Sequence, residues 1–174
     1  MTSENPALGL RQVSLALVEH DPRWAELFTD EAALIAQALP DVSFEIDHIG
    51  STSVPGLTAK PILDIAMRSI HEEQIARALT SLGYIDRGIR SGRLFIRLRD
   101  GDVRTHNLHL YDPKDTDCLD QIAFRDALRA NADLRDQYAD LKEMLVEEFG
   151  DQGRRLYAGR KTEFIKAVIE AQNI

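Results

Sequence analysis

The chain has 174 residues, 44% of them apolar and 29% charged, with a net charge of −8 and a pI near 5.1. That is enough for one folded domain with a real core, and it excludes a disordered chain or a binder of nucleic acid by bulk charge. The single cysteine, Cys118, excludes an internal disulfide, and no apolar run approaches a membrane span. A cytoplasmic setting is the default expectation, since the N-terminus shows no basic segment followed by an apolar stretch.

Residues 1–12 mix Ser, Asn, Pro and Gly and read as a loose tail before a single domain over 13–174. Leu15-Ala16-Leu17-Val18 reads as a short strand or extended arm. Asp21-Pro22 opens a helix over roughly 22–39, in which Trp24, Leu27, Phe28, Leu34, Ile35 and Leu39 recur at helical spacing. A strand over about 43–49 alternates, with Glu45, Asp47 and Ile49 on one face and Ile46 and His48 on the other.

The loop Gly50-Ser51-Thr52-Ser53-Val54-Pro55-Gly56-Leu57-Thr58-Ala59-Lys60-Pro61 follows. It reads either as a tight, well-capped connection or as an anion cradle of glycine, hydroxyls and free amides. The next strand, about 62–67, is almost wholly apolar except for Asp64, as expected of a strand covered on both faces. A carboxylate there needs a partner, and two uses fit it: a staple for the loop amides or a metal ligand.

A helix over 72–82 closes at Gly83, and a hairpin-rich section follows. In the strand 93–99 the arginines and Phe95 share one face, and Leu94, Ile96 and Leu98 share the other. Asp100-Gly101 turns the chain into 103–111, where Asn107 and His109 share a face and His106 points the other way. Six arginines (87, 90, 93, 97, 99 and 104) form either a solvated face or a basic wall for an anionic ligand. Helices at about 116–130, 134–149 and 156–169 complete a mixed α/β (α+β) domain with flanking helices and a helical C-terminal part.

Several stretches together resemble the GrpB (UPF0157-type) family of the nucleotidyltransferase-fold superfamily. They are Asp21-Pro22-Arg23-Trp24, the run from Asp47 through Leu57 with Ala59-Lys60-Pro61-Ile62 and Asp64, Thr105-His106-Asn107-Leu108-His109-Leu110, Phe124-Arg125-Asp126, Tyr138 with Leu141-Lys142, and Tyr157 with Lys161, Phe164 and Ile165. The resemblance implies a nucleotidyltransferase-like mixed sheet. It also implies a nucleoside triphosphate as ligand or substrate, held by Gly50 and Ser51 with Thr52, Ser53, Lys60 and Arg97. Asp64 matches the first of two metal-binding carboxylates, but Ala66 stands where the second belongs. Substitutes for a Mg²⁺ ligand would come from Asp47, His48, Glu45 or the strand bearing His106 and His109, and His109 or His106 would serve as general base.

Three functions follow: metal-dependent nucleotidyl transfer to a small acceptor; a non-catalytic nucleotide- or anion-binding domain without the metal pair; or a hydrolase or transferase built on an Asp64–histidine metal site. The third expects tight transition-metal binding, and the partner expected overall is a small anionic ligand, with neither bulk nucleic acid nor membrane. Arg125, Arg129, Tyr157 and Lys161 either fold over the mouth of the loop or carry surface ion pairs, which are worth little.

Overall fold

The computed structural model describes residues 7–12, 14–150 and 154–172, with the side chains of 159–171 in the last stretch. The elements run β1 (Leu10–Arg11), α1 (Arg23–Ala38), β2 (Glu45–Ile49), a 3₁₀ turn (Ser51–Ser53), β3 (Leu63–Arg68), α2 (Glu72–Ser81), β4 (Ile85–Arg90), β5 (Gly92–Arg99), β6 (Val103–Tyr111), α3 (Thr116–Ala130), α4 (Ala132–Phe149) and α5 (Arg154–Gln172). Leu156 and Tyr157, expected on the apolar side of the last helix, lie outside the described side chains. The helix runs unbroken through Gly159.

The strands form one mixed sheet in the order β2-β3-β6-β5-β4, with β1 added to β6. Only β3 and β6 are parallel; the other pairs are antiparallel. Register assigns the faces. Leu63, Ile65, Met67, Phe95, Leu108 and Leu110 lie on the first face and build the main core with Trp24, Ile35 and Leu39 of the α1 region and Ile75 and Leu79 of α2. Asp64, Ala66, Asn107, His109 and Tyr111 lie on the second, which α3 covers. Both faces of β3 are thus buried, as its nearly unbroken apolar run requires.

Residues 7–11 fall within the stretch expected to be a loose tail, yet they are tied down. The indole N–H of the fully buried Trp24 donates to the Ala7 carbonyl (2.8 Å), and the Gly9 amide donates to Pro61 (2.8 Å). Leu8 and Leu10 are buried. Residues 1–6 of that stretch lie outside the described residues. The expected arm at 15–18 is a single bridge between Val18 and Ala59, which holds the far end of the loop.

The helical third is set by short-range chemistry. The Asp115 carboxylate accepts the Asp117 amide (2.9 Å), and the Asn131 side chain accepts the Leu134 amide (3.0 Å), so each caps a helix start. Asn131 is also the last word of α3, which makes the α3–α4 junction one residue long. Phe124, Ala127, Leu128, Tyr138 and Val168 from these helices pack on Val54 and Leu57 of the loop. The loop is therefore sandwiched between the sheet and the helical part.

Candidate functional site

The site begins with a turn. Gly50 has φ +69°, a left-handed value that glycine adopts without penalty, and it lets β2 swing directly into the 3₁₀ turn. A Cβ built there would lie 2.7 Å from Asp64 Oδ2, so the loop backbone and the β3 carboxylate are in contact. The amides of Ser53 and Val54 close the turn onto the carbonyls of Gly50 and Ser51. The amides of Ser51 and Thr52, at the start of the turn, have no partner within it, and such amides favour an anion.

The three hydroxyls of the Ser51–Ser53 turn divide sharply. Ser53 Oγ donates to the Gly50 carbonyl (2.5 Å), and Thr52 Oγ1 lies against the Ile62 carbonyl (3.3 Å) and His48 Nε2 (2.9 Å). Those two residues are buried and hold the loop to itself. Ser51 alone turns towards a cavity of about 220 Å³, which it lines with Gly50, Asp64, His109, Arg125 and Lys161.

Register explains which strand residues arrive there. Asp64 pairs with Asn107, and Ala66 with His109, across the parallel β3–β6 contact. Asn107 Nδ2 donates to Asp64 Oδ1 (2.8 Å), which leaves Oδ2 towards Gly50. His109 Nδ1 donates to the Ser91 carbonyl (2.8 Å), so Nε2 is the nitrogen that faces the cavity side. Tyr111 continues the row, its hydroxyl pushed up to about 12 by burial.

Several expected site residues lie elsewhere, and for Arg97, His106 and His48 the reason is that side chains alternate across a strand. Arg97 and His106 are register partners on the first face. There Arg97 is ion-paired with the buried Glu31, which also accepts from Tyr84 Oη (2.8 Å). His106 accepts from Arg97 at Nε2 (3.2 Å) and donates from Nδ1 to Thr105 Oγ1 (2.8 Å). Burial and then the Arg97 charge hold it neutral, with its pKa lowered to about 3. His48 also points to the first face, stacked on Phe28 at 4.9 Å, and burial lowers its pKa to about 4. Asp47 is on the second face, but its carboxylate is ion-paired with Arg125 (3.3 Å) and Arg68 (3.4 Å). Lys60 does not line the cavity.

The arginine-rich hairpin is not the wall of this site. Arg93 pairs with Asp86, Glu72 and Glu73, and Arg99 donates to the Leu8 carbonyl. The cations come instead from the helices. Arg125 Nη1 donates to the His48 carbonyl (3.0 Å), while Arg129 donates twice to the Ser53 carbonyl (3.0 and 2.7 Å). Two side chains one turn apart on α3 thus grip the backbone on either side of Gly50-Ser51.

Lys142 falls within the family resemblance, which implies no role for it. It is 1% exposed, on the apolar stripe of α4 with Tyr138 and Leu145. Its Nζ donates to Ser51 Oγ (3.1 Å) and to the Thr58 carbonyl, and it stands over the Tyr138 ring at 4.9 Å. Burial lowers its pKa to about 7, with Lys161 and Lys60 adding to the effect and Glu143 opposing it. A lysine at a core position of an amphipathic helix was the available signal.

A metal pair does not fit these residues. The place of a second carboxylate is Ala66, 1% exposed, and around it Ile49, Tyr111, Cys118 and the flanking Ile122 form an apolar cluster. Among the described residues that line the cavity, Asp64 is the one carboxylate. Among the described residues no group of three His, Cys, Asp or Glu is placed to hold a metal ion, and the expected Asp64–histidine centre is not assembled because His48 and His106 face away. No helix among the described residues is long and apolar enough to cross a membrane.

Known proteins share this architecture. UPF0157 protein BH1888 of Halalkalibacterium halodurans is 37% identical over 164 residues, covering 92% of this chain and 83% of that protein. The crystal structure of the conserved protein GrpB from Enterococcus faecalis superposes with a TM-score of 0.78 at 27% identity, covering 91% of this chain and all of that one. A cytoplasmic RNA terminal U-transferase superposes with a TM-score of 0.50 at 11% identity over 75% of this chain and 41% of its own, a likeness of nucleotidyltransferase-type fold alone. The GrpB protein family model matches residues 14–171, and the chain belongs to the GrpB family.

Proposed function

We propose that this protein binds a small phosphate-bearing ligand, with a nucleoside triphosphate the leading candidate, and that it does so through cations and backbone amides without a resident metal pair. The observation that carries this reading is the junction of the Ser51 turn with the buried Lys142, next to Arg125 and Lys161. Arg125, though ion-paired with Asp47 and Asp126, lines the cavity with Lys161, and cations at a cavity wall favour an anion, for which the amides that open the turn add donors. A cavity of about 220 Å³ is below the roughly 300–1,000 Å³ of sites that enclose a drug-sized ligand. It suits the phosphates of a nucleotide, with the nucleoside outside.

The second reading is nucleotidyl transfer to a small acceptor with Mg²⁺ brought in by the nucleotide. Asp64, whose Oδ2 lies against Gly50, is the observation in its favour. Calorimetric titration separates the two. Phosphate, pyrophosphate and the four nucleoside triphosphates are titrated in EDTA and in Mg²⁺, against wild type and Asp64→Asn. The first reading expects binding in EDTA that Asp64→Asn strengthens several-fold, because a nearby carboxylate opposes an anion. Binding that needs Mg²⁺ and disappears in Asp64→Asn would overturn the first reading in favour of the second. No binding of any of these ligands would overturn both.

A further inference from the structure

Of the three hydroxyls in the Ser51–Ser53 turn, two are spent on loop geometry, and the third meets a lysine that comes from a helix 91 residues further along the chain. Arg129 holds the loop through the Ser53 carbonyl, and Lys142 holds its far side through the Thr58 carbonyl, yet Lys142 also reaches Ser51 Oγ, and burying an ammonium is costly unless it is well partnered. The Thr58 carbonyl and the Tyr138 ring fix Lys142 Nζ from two other sides, so that it is aimed at Ser51 Oγ. Nucleophile, adjacent amine and a group that orients the amine are the parts of an activated serine.

We propose that Ser51 and Lys142 form a nucleophile–base pair, and that Ser51 Oγ accepts the terminal phosphoryl group of a phosphoanhydride bound in the cavity. The inference rests on the phosphate-ligand reading above and names a reaction for it. In the charged form Nζ donates to Oγ; in the neutral form its lone pair accepts the Ser51 O–H. As Oγ attacks the terminal phosphorus, that proton passes to Nζ and the Oγ–P bond forms. The bridging P–O bond breaks, and its electron pair leaves with the departing diphosphate or carboxylate. Arg125 and Lys161, at the cavity wall, offset the charge that develops on the leaving group. The products are phosphoserine at position 51 and the shortened anion.

The amine can switch form near neutrality. Lys161 of α5 and Lys60 of the loop press its pKa down along with burial, Glu143 on α4 presses it up, and the neutral ring of Tyr138 lies beneath it.

The test incubates the whole protein with ATP, GTP, CTP, UTP or acetyl phosphate, each in EDTA and in Mg²⁺, and maps modified peptides by mass. Calorimetry on the same samples measures binding. A phosphoryl group on Ser51 that Ser51→Ala abolishes is expected. Lys142→Met and Lys142→Arg should each form it about a hundredfold more slowly, the range for loss of a general base. Arginine keeps the charge but stays protonated, so equal loss in both variants marks proton transfer and not charge. Their melting temperatures establish that they fold. At saturating ligand the wild-type rate should rise through about pH 7 and the arginine variant's should not. Measured binding with no adduct at Ser51 would overturn the inference and leave the ligand reading standing. Absence of both binding and adduct would remove both.

Discussion

Gly50 joins the loop to the strand below it at the scale of single atoms. Its φ of +69° and the 2.7 Å between a built Cβ and Asp64 Oδ2 are independent obstacles to any other residue. Gly50→Ala is expected to cost about 1–3 kcal/mol from backbone strain, with more from displacement of the carboxylate. Gly88 has φ +75° with nothing within 4 Å of a built Cβ, so Gly88→Ala carries the strain alone. Urea midpoints of the two variants should therefore differ, with Gly50→Ala the lower. A ligand titration should show lost affinity only for Gly50→Ala.

Helix α3 acts on the loop as an element. Arg125 and Arg129, four residues apart, reach carbonyls on both flanks of Gly50-Ser51. Arg129 is 41% exposed, so its contribution to global stability is small, below about 1 kcal/mol. Its contribution to loop order is larger. Arg129→Ala should leave the melting temperature within a degree or two of wild type while weakening pyrophosphate binding about tenfold by calorimetry. Equal affinity in that variant would show that the loop holds its shape without the clamp. This element also marks where the sequence was legible. Periodicity located every long element within a few residues. Alternation placed His106 and His109 on opposite faces, and it separated Asp47 from His48. What alternation could not supply was strand order: that β6 lies beside β3, with His109 next to Ala66, follows from a parallel pairing some forty residues apart in sequence. The hydroxyls of Thr52 and Ser53 misled because a turn uses the same residue types that an anion site uses. Lys142 stood in the family resemblance and as a charge at a core position, but its role was not legible because its partner lies on another element.

The whole molecule should register its buried bases in its response to pH. His48 and His106 have folded pKa values near 4 and 3, below the ordinary 6.5, so on acidification the unfolded chain takes up protons that the folded chain refuses. Stability falls as pH drops from about 6.5 towards 4 and below. Lys142 acts in the same sense at higher pH, between 10.5 and about 7. The melting temperature is expected to climb from pH 5 to pH 9, with the alkaline part of the slope flattened in Lys142→Met. A maximum at pH 6 or below in a thermal series would contradict those protonation states.

The order of the elements along the chain also has a consequence for biosynthesis. All six strands among the described residues precede α3, α4 and α5. A polypeptide leaving the ribosome can pair its sheet and pack Trp24 before Arg125, Arg129 or Lys142 exists. The second face, with Asp64 and His109, waits uncovered until the last third has been made. A chain cut short after β6 would keep the whole Gly50–Pro61 loop yet lack every helical cation assigned to it. Reactivity at Ser51 would then report that translation had run through α4, so that an abandoned fragment stays inert.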